Sequence, residues 1–186
     1  MAHFAELDQD NICLRVLVFD NNEVMANGGD WSPQAEQWII DNNTPFTTVE
    51  NSITGKEGIK WKQTSFNTHG GKHYSTNEAG VRSESADQSK AKRFRYAGLK
   101  AIYDEARDAF LPEQPYSTWV FNNTTLDYDP PVSRPTVELI TVDGVEVLLS
   151  FSWDNDKITW RGDNTDQSII KYWNPNTNSW EDDYGS

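Results

Sequence analysis

Aromatic residues recur in pairs seven positions apart, and the residues between them restrict the fold more than any other feature of the chain. Tyr103 and Phe110 flank "DEARDA", Phe121 and Tyr128 flank "NNTTLD", Trp153 and Trp160 flank "DNDKIT", and Trp173 and Trp180 flank "NPNTNS". When six residues fold symmetrically about a turn, positions i and i+7 face each other across an antiparallel pair. Directly opposed side chains share a face, with Cβ atoms roughly 4.5–5.5 Å apart. Opposed rings contribute roughly 0.5–1.5 kcal/mol beyond the area they bury. Asn, Asp, Pro and Thr are turn formers. The spacing therefore predicts short hairpins clasped at the stem by rings.

The filler decides the reading, because spacing alone does not. Trp31 and Trp38 are also seven apart, yet "WSPQAEQWII" predicts a short helix near 32–40. Ser32 caps it, Pro33 suits its first turn, and Ala35, Trp38 and Ile39 line one side. "LKAIYDEARDAFL" is the ambiguous stretch. Leu99, Ile102, Ala106 and Phe110 share a helical stripe, so helix and hairpin stand level there on residue pattern.

Along the rest of the N-terminal region, "FAELDQDNICLRVLVF" reads as a strand, a turn at 8–11 and a strand through Phe19. "DNNE" reads as a further turn, and "IKWKQTSF" as a strand. Residues 67–90 read as a long exposed loop, of a length that suggests contact or mobility. "LPEQPYSTW" and "DYDPPVSRP" are Pro-punctuated connectors, and the second sets the expected domain boundary near residue 130. The expected domains are 1–130, β-rich with the short helix and the long loop, and 131–186, a β meander followed by a Trp hairpin.

Asp143-Gly144 between β-branched runs signals a two-residue hairpin. Val145, Val147, Leu149, Phe151 and Trp153 alternate onto one face, joined by Ile140, Val142, Ile158 and Trp160. This predicts a three-stranded antiparallel meander whose apolar side needs a cover. The 172–180 hairpin, another chain or the N-terminal part would serve. The expected fold class is mainly β, a β-rich α+β arrangement of short antiparallel hairpins, a three-stranded meander and one short helix.

Composition agrees with rings as the source of apolar area. Leu, Ile, Val and Phe number 38 of 186, close to the level of disordered chains, but eight Trp and seven Tyr argue for a folded protein. The net charge of −13 is uneven: residues 1–60 carry −7, residues 61–115 carry +2 and residues 116–186 carry −8. Only the middle is suited to a polyanion. The single cysteine, Cys13, excludes an internal disulfide and a cysteine-based zinc cluster, and sits where a small buried hydrophobe is expected. The first residues lack the basic and apolar segments of a secretory signal, and no apolar run reaches membrane-helix length, so synthesis in a cytoplasm as a water-soluble chain is expected.

"MAHFAELD", "WKQTSFNTHGGKHY", "YAGLKAIYDEARDAFLPEQPYSTWVFN" and "YWNPNTNSWED" resemble, in that order, a family of small proteins encoded by tailed phages of marine bacteria, cyanophages especially. The resemblance covers residues 1–20, 61–75, 94–132 and 172–182. It implies phage origin and a role in the virion, as a capsid decoration or a tail- or fibre-associated protein. In relatives the segment matching 96–110 alternates as a strand does, which turns the expectation there to a hairpin. The 133–170 stretch departs from the family, like an insertion ahead of the last Trp hairpin.

Catalytic signatures are lacking. No phosphate-binding glycine loop, nucleophile elbow or local Cys/His pair occurs. His69 and His73 in "HGGKH" are four apart, but the two glycines between them disfavour the helix that would align them on a metal. "DNDK" and "DNTD" do not match the calcium-loop spacing. No enzyme activity, cofactor or metal is expected. "KAKRFRY" sets Lys90, Lys92, Arg93 and Arg95 around Phe94 and Tyr96, a pattern that suits single-stranded nucleic acid or a charge match within or between subunits. The charge match is favoured. The expected role is structural: protein–protein adhesion to other capsid or tail subunits, or to further copies of the chain. Its candidate anchors are Trp119, Trp153, Trp160, Trp173, Trp180, Phe94, Tyr96, Arg93 and Arg95. Each Trp serves equally well as local core or as interface hot spot. The alternatives are a tail-fibre assembly chaperone and a glycan-binding module on the virion surface.

Overall fold

Strand β1 (Ala2–Leu7) is the centre of an antiparallel sheet, with β2 (Cys13–Phe19) on one side and β3 (Lys60–Thr64) on the other. These elements belong to a computed structural model that describes residues 1–49 and 51–184. The model is mainly β and divides into two compact units, residues 1–113 and 114–186.

In the first unit, β1 is buried on both faces. Phe4 packs with Val24, Ala35, Ile39 and Trp61, while Ala5 and Leu7 pack with Cys13, Ala97, Tyr103 and Phe110. Helix α1 (Asn21–Ala26) and helix α2 (Pro33–Asn42) supply Val24, Ala35 and Ile39. Ser32 caps α2 as expected, its Oγ accepting from the Ala35 amide at 3.0 Å, with Pro33 in the first turn. "DNNE" is not a turn: Asp20 accepts from the Asn22 amide and starts α1. Cys13 is fully buried, and burial pushes its thiol pKa up to about 12, as for an inert apolar side chain.

Residues 67–90 are likewise not a loop. Strands β4 (Thr68–His69), β5 (Lys72–Thr76) and β6 (Arg82–Glu84) form a small sheet, followed by a 3₁₀ turn at Gln88–Lys90. Gly70 and Gly71 both adopt left-handed conformations (φ 59° and 74°), as a two-residue hairpin turn requires. Strands β7 (Ile102–Asp104) and β8 (Ala109–Leu111) form the 102–111 hairpin, which joins the start of β2 through a bridge between Ile12 and Ile102.

The second unit consists of hairpins. Strands β9 (Val120–Asn122) and β10 (Asp127–Asp129) make one; β11 (Leu139–Val142) and β12 (Val145–Leu148) make another. Four strands follow in simple order: β13 (Ser150–Asp154), β14 (Thr159–Asp163), β15 (Ile170–Asn174) and β16 (Ser179–Glu181). Asp143 and Gly144 have φ 51° and 80°, the expected hairpin turn.

Two expectations need correction here. The 145–153 segment is not one strand of a three-stranded meander, because it breaks at the buried Leu149 and changes partner from β11 to β14. The last Trp hairpin extends the sheet beyond β14, and its Trp180 ring reaches back over Gly162 to Phe151, 5.0 Å away, so it covers part of the apolar face as expected. The unit boundary lies at 113/114 and not near 130. Trp119 in the Pro-punctuated connector packs on Trp153 and Trp160, with centroids 6.1 and 6.3 Å away, so 114–130 belongs with the C-terminal strands.

Candidate functional site

The four ring pairs are direct cross-strand partners: Tyr103 with Phe110, Phe121 with Tyr128, Trp153 with Trp160, and Trp173 with Trp180. Their centroids lie 5.3, 5.3, 5.4 and 5.3 Å apart, in tilted or edge-on geometry. Each hairpin repeats the same local chemistry. The residue after the first ring is Asp104, Asn122, Asp154 or Asn174. Its Oδ1 accepts from the amides two and three positions on, at 2.8–3.4 Å. The fifth residue after the first ring is left-handed: Asp108, Leu126, Ile158 and Asn178 have φ 46°, 46°, 54° and 53°. Ring, Asx, three loop residues, left-handed residue, one more, ring: this eight-residue unit occurs four times.

The candidate tryptophans converge in the second unit. Trp153, Trp160 and Trp173 are buried together, with Trp119, Trp180, Val132 and Phe151 packed on them. The Trp153 indole N–H donates to Thr118 Oγ1 at 3.0 Å, that of Trp160 to the Val132 carbonyl at 2.9 Å, and that of Trp180 to the Val137 carbonyl at 2.8 Å. Gly162 makes room, since a β-carbon there would lie 2.9 Å from the Trp180 ring and 3.0 Å from Leu149. Trp153, Trp160 and Trp173 are thus local core, the first of the two roles open to them, and offer no surface to a partner. Trp119 and Trp180 are half-buried at the edge of the same cluster.

The basic stretch is drawn inward in the first unit. The Arg93 guanidinium is nine-tenths buried; it pairs with Glu36 at 2.8 Å and Asp108 at 2.9 Å, and donates to the Gln63 carbonyl at 2.7 Å. It also stacks near Trp31 and Tyr103. Arg93 is therefore not an interface cation; it serves the internal charge match. Phe94 covers Gly71 and its carbonyl accepts from the Gly71 amide. The Arg95 guanidinium lies 5.6 Å from the Phe94 centroid, and the Tyr96 ring meets His3 and Phe66 edge-on, each at 5.7 Å. Stacked on their own unit, these aromatics do not form a free stripe for nucleic-acid bases. His69 is exposed and His73 buried, and among the described residues no three His, Cys, Asp or Glu side chains gather as a metal site.

Apolar surface is concentrated where the sequence reading did not place it. In the β11–β12 hairpin, Leu139 and Leu148 are direct partners and are 49% and 65% exposed, and Val145 near the turn is 63% exposed. The two strands pair only with each other among the described residues, so both outer edges carry unpaired backbone groups. The alternation that assigns Ile140, Val142, Val145 and Val147 to one face puts Leu139 and Leu148 on the other, and that was the available signal. No helix among the described residues is long and apolar enough to cross a membrane. Comparison of the chain with family models, curated proteins and solved structures finds no match.

Proposed function

We propose that this chain is a non-enzymatic structural accessory component of a tailed-phage virion that acts by protein–protein adhesion, and that the β11–β12 hairpin is its adhesive element. The observation carrying this reading is the exposed Leu139–Leu148 pair on a two-stranded ribbon with open edges. An extended segment of a neighbouring capsid or tail subunit adds to such an edge through backbone hydrogen bonds, and apolar side chains on the ribbon select it. The resemblance of the flanking segments to small phage proteins supplies the setting. The ribbon lies within 133–170, the segment that departs from that family, which makes the adhesive element particular to this chain.

Mass spectrometry of purified particles tests the reading. The chain is expected among the virion proteins, and Leu139→Lys with Leu148→Lys is expected to remove it from particles while leaving it folded, since both side chains face solvent. A chain absent from finished particles but needed for fibre assembly would replace this reading with the chaperone. Incorporation of the double variant at the wild-type level would exclude the hairpin as the adhesive element.

A further inference from the structure

In the first unit, a cavity of about 440 Å³ opens beside the ends of β1 and β3. That volume is within the roughly 300–1,000 Å³ range of small-ligand pockets. Six separate stretches of chain build it: the start of β1, the start of α1, the α1–α2 connection, residues 63–67, β5 and the end of the 3₁₀ turn.

Its walls combine three kinds of group. The first is cationic. Lys90 and Lys92 line the cavity, and among the described residues neither makes a close ion pair, although Lys90 acts at longer range on the Asp87 carboxylate, whereas Lys56, Lys60, Lys62, Lys72, Lys100, Lys157 and Lys171 are all ion-paired. In a chain of net charge −13, two unpaired ammonium groups on one small cavity stand out.

The second kind is polar and held in place. His73 lines the cavity and is buried, and its Nδ1 is shielded from solvent without a hydrogen-bond partner. A buried unpartnered ring nitrogen is destabilising unless something bonds to it. The backbone of His73 is clamped on both sides by the Gln88 side chain, at 2.8 and 3.0 Å, which holds the imidazole in position. Opposite, buried Gln63 donates to the Asp30 carboxylate at 2.9 Å and accepts from the Trp31 amide. Burial holds the His3 imidazole below its ordinary pKa, so at neutral pH it is a neutral donor and acceptor.

The third kind is aromatic. Trp31 and Phe66 both line the cavity, and Phe66 is 62% exposed at its rim. Flat apolar faces, fixed hydrogen-bonding groups and paired cations together match a ring that carries C–H faces, hydroxyls and a negative charge.

We propose that this cavity binds an anionic sugar, a pyranose bearing a carboxylate. The carboxylate meets Lys90 and Lys92, hydroxyls bond to Asp30 and His3, and a face of the ring lies on Trp31 or Phe66. The acidic remainder of the protein repels anions at long range, so attraction depends on the short-range contacts and on ionic strength. The proposal does not rest on the adhesion reading.

The test is calorimetric titration of the full chain with sodium galacturonate, galactose and inorganic phosphate at fixed ionic strength. Galacturonate is expected to bind saturably, and galactose and phosphate each roughly tenfold more weakly or not at all. Lys90→Gln with Lys92→Gln, both at exposed positions, is expected to weaken galacturonate roughly tenfold. Absence of saturable binding, equal binding of phosphate, or an unchanged double variant would each overturn the proposal. Leu139→Lys with Leu148→Lys is expected to bind galacturonate like the wild type, so loss of adhesion and loss of sugar binding fail separately.

Discussion

The hairpin at 102–111 and the hairpins of residues 114–184 use the same eight-residue device, but the units around them are stabilised differently. In the first unit the Tyr103–Phe110 pair joins an aliphatic core of Ala5, Leu7, Cys13 and Ala97, and buried ions run through the structure. Glu6 is fully buried; it accepts from the Phe46 amide at 2.8 Å and pairs with its cross-strand partner Arg15 at 2.5 Å. A β-carbon at Gly58 would collide with that carboxylate, so glycine is required there. In the second unit the rings are themselves the core, and the lysine ion pairs, Lys157–Asp183 and Lys171–Asp182, involve exposed aspartates. Exposed pairs contribute about 0–1 kcal/mol. The contrast teaches that one local device serves either as trim on an ordinary core or as a substitute for it.

Removing a ring should therefore separate the two units most sharply. Trp160 contacts Trp119 and Trp153 and donates to Val132. Trp160→Ala is expected to cost about 4 kcal/mol, as for truncation of a buried aromatic. Amide exchange is the measurement: protection should collapse across β13–β16 and persist across β1–β3. Simultaneous loss in both would break the comparison, because the two cores would then unfold as one.

The charged core makes the complementary prediction. Arg93 and Glu36 are both buried, and Arg93→Met leaves the Glu36 carboxylate with Lys62 as its one ion-pair partner and the Gln63 amide as a donor. Breaking a buried pair from one side is expected to cost about 3 kcal/mol, read as a lower urea midpoint for the first unit with the second unchanged. Arg93→Met combined with Glu36→Gln should recover part of that loss, since no buried carboxylate is left unpaired and the groups that lose a partner, Lys62 and Asp108, reach solvent. Equal losses in the single and double variants would show that Arg93 acts by stacking on Trp31 and Tyr103 and not by its charge.

What could be read in the sequence follows the reach of each interaction. The four ring hairpins, the Asp143-Gly144 turn and the Ser32 cap are settled within eight residues, so their chemistry is visible in a short window. The Tyr103–Phe110 ambiguity had a local answer as well. Asp104 and Asp108 occupy the Asx and left-handed positions shared with the other three hairpins, and a helix would use neither. The 67–90 sheet was also locally signalled by Gly70-Gly71, but its strands are short and polar and carry no apolar alternation. The inward turn of Arg93 was not legible, because Glu36 and Asp108 approach it from 57 positions before and 15 after. The cavity was illegible for the same reason, being assembled from six separated stretches. Leu149, where the strand breaks, is buried beside Gly162, which only the sheet brings near it.

The smallest effect tests the hairpin device itself, at its left-handed residue. Side chains other than glycine lose roughly 1–2 kcal/mol in that conformation, and asparagine tolerates it best. Ile158 is β-branched, 47% exposed and left-handed, so its side chain strains the backbone with little burial in return. Ile158→Gly relieves that strain and loses some of the gain to the entropy of an unfolded glycine, for a net stabilisation of about 0.5–1 kcal/mol. Leu126 has a similar backbone but is only 8% exposed. Leu126→Gly gives up that burial and is expected to destabilise by about 2 kcal/mol. Asn178 already suits the conformation, and Asn178→Gly should leave the urea midpoint nearly unchanged. One substitution at equivalent positions thus gives a gain, a loss and no change, ordered by what each side chain touches. A uniform response at all three would mean that the loops are held by the ring pairs alone, with the left-handed residue merely following.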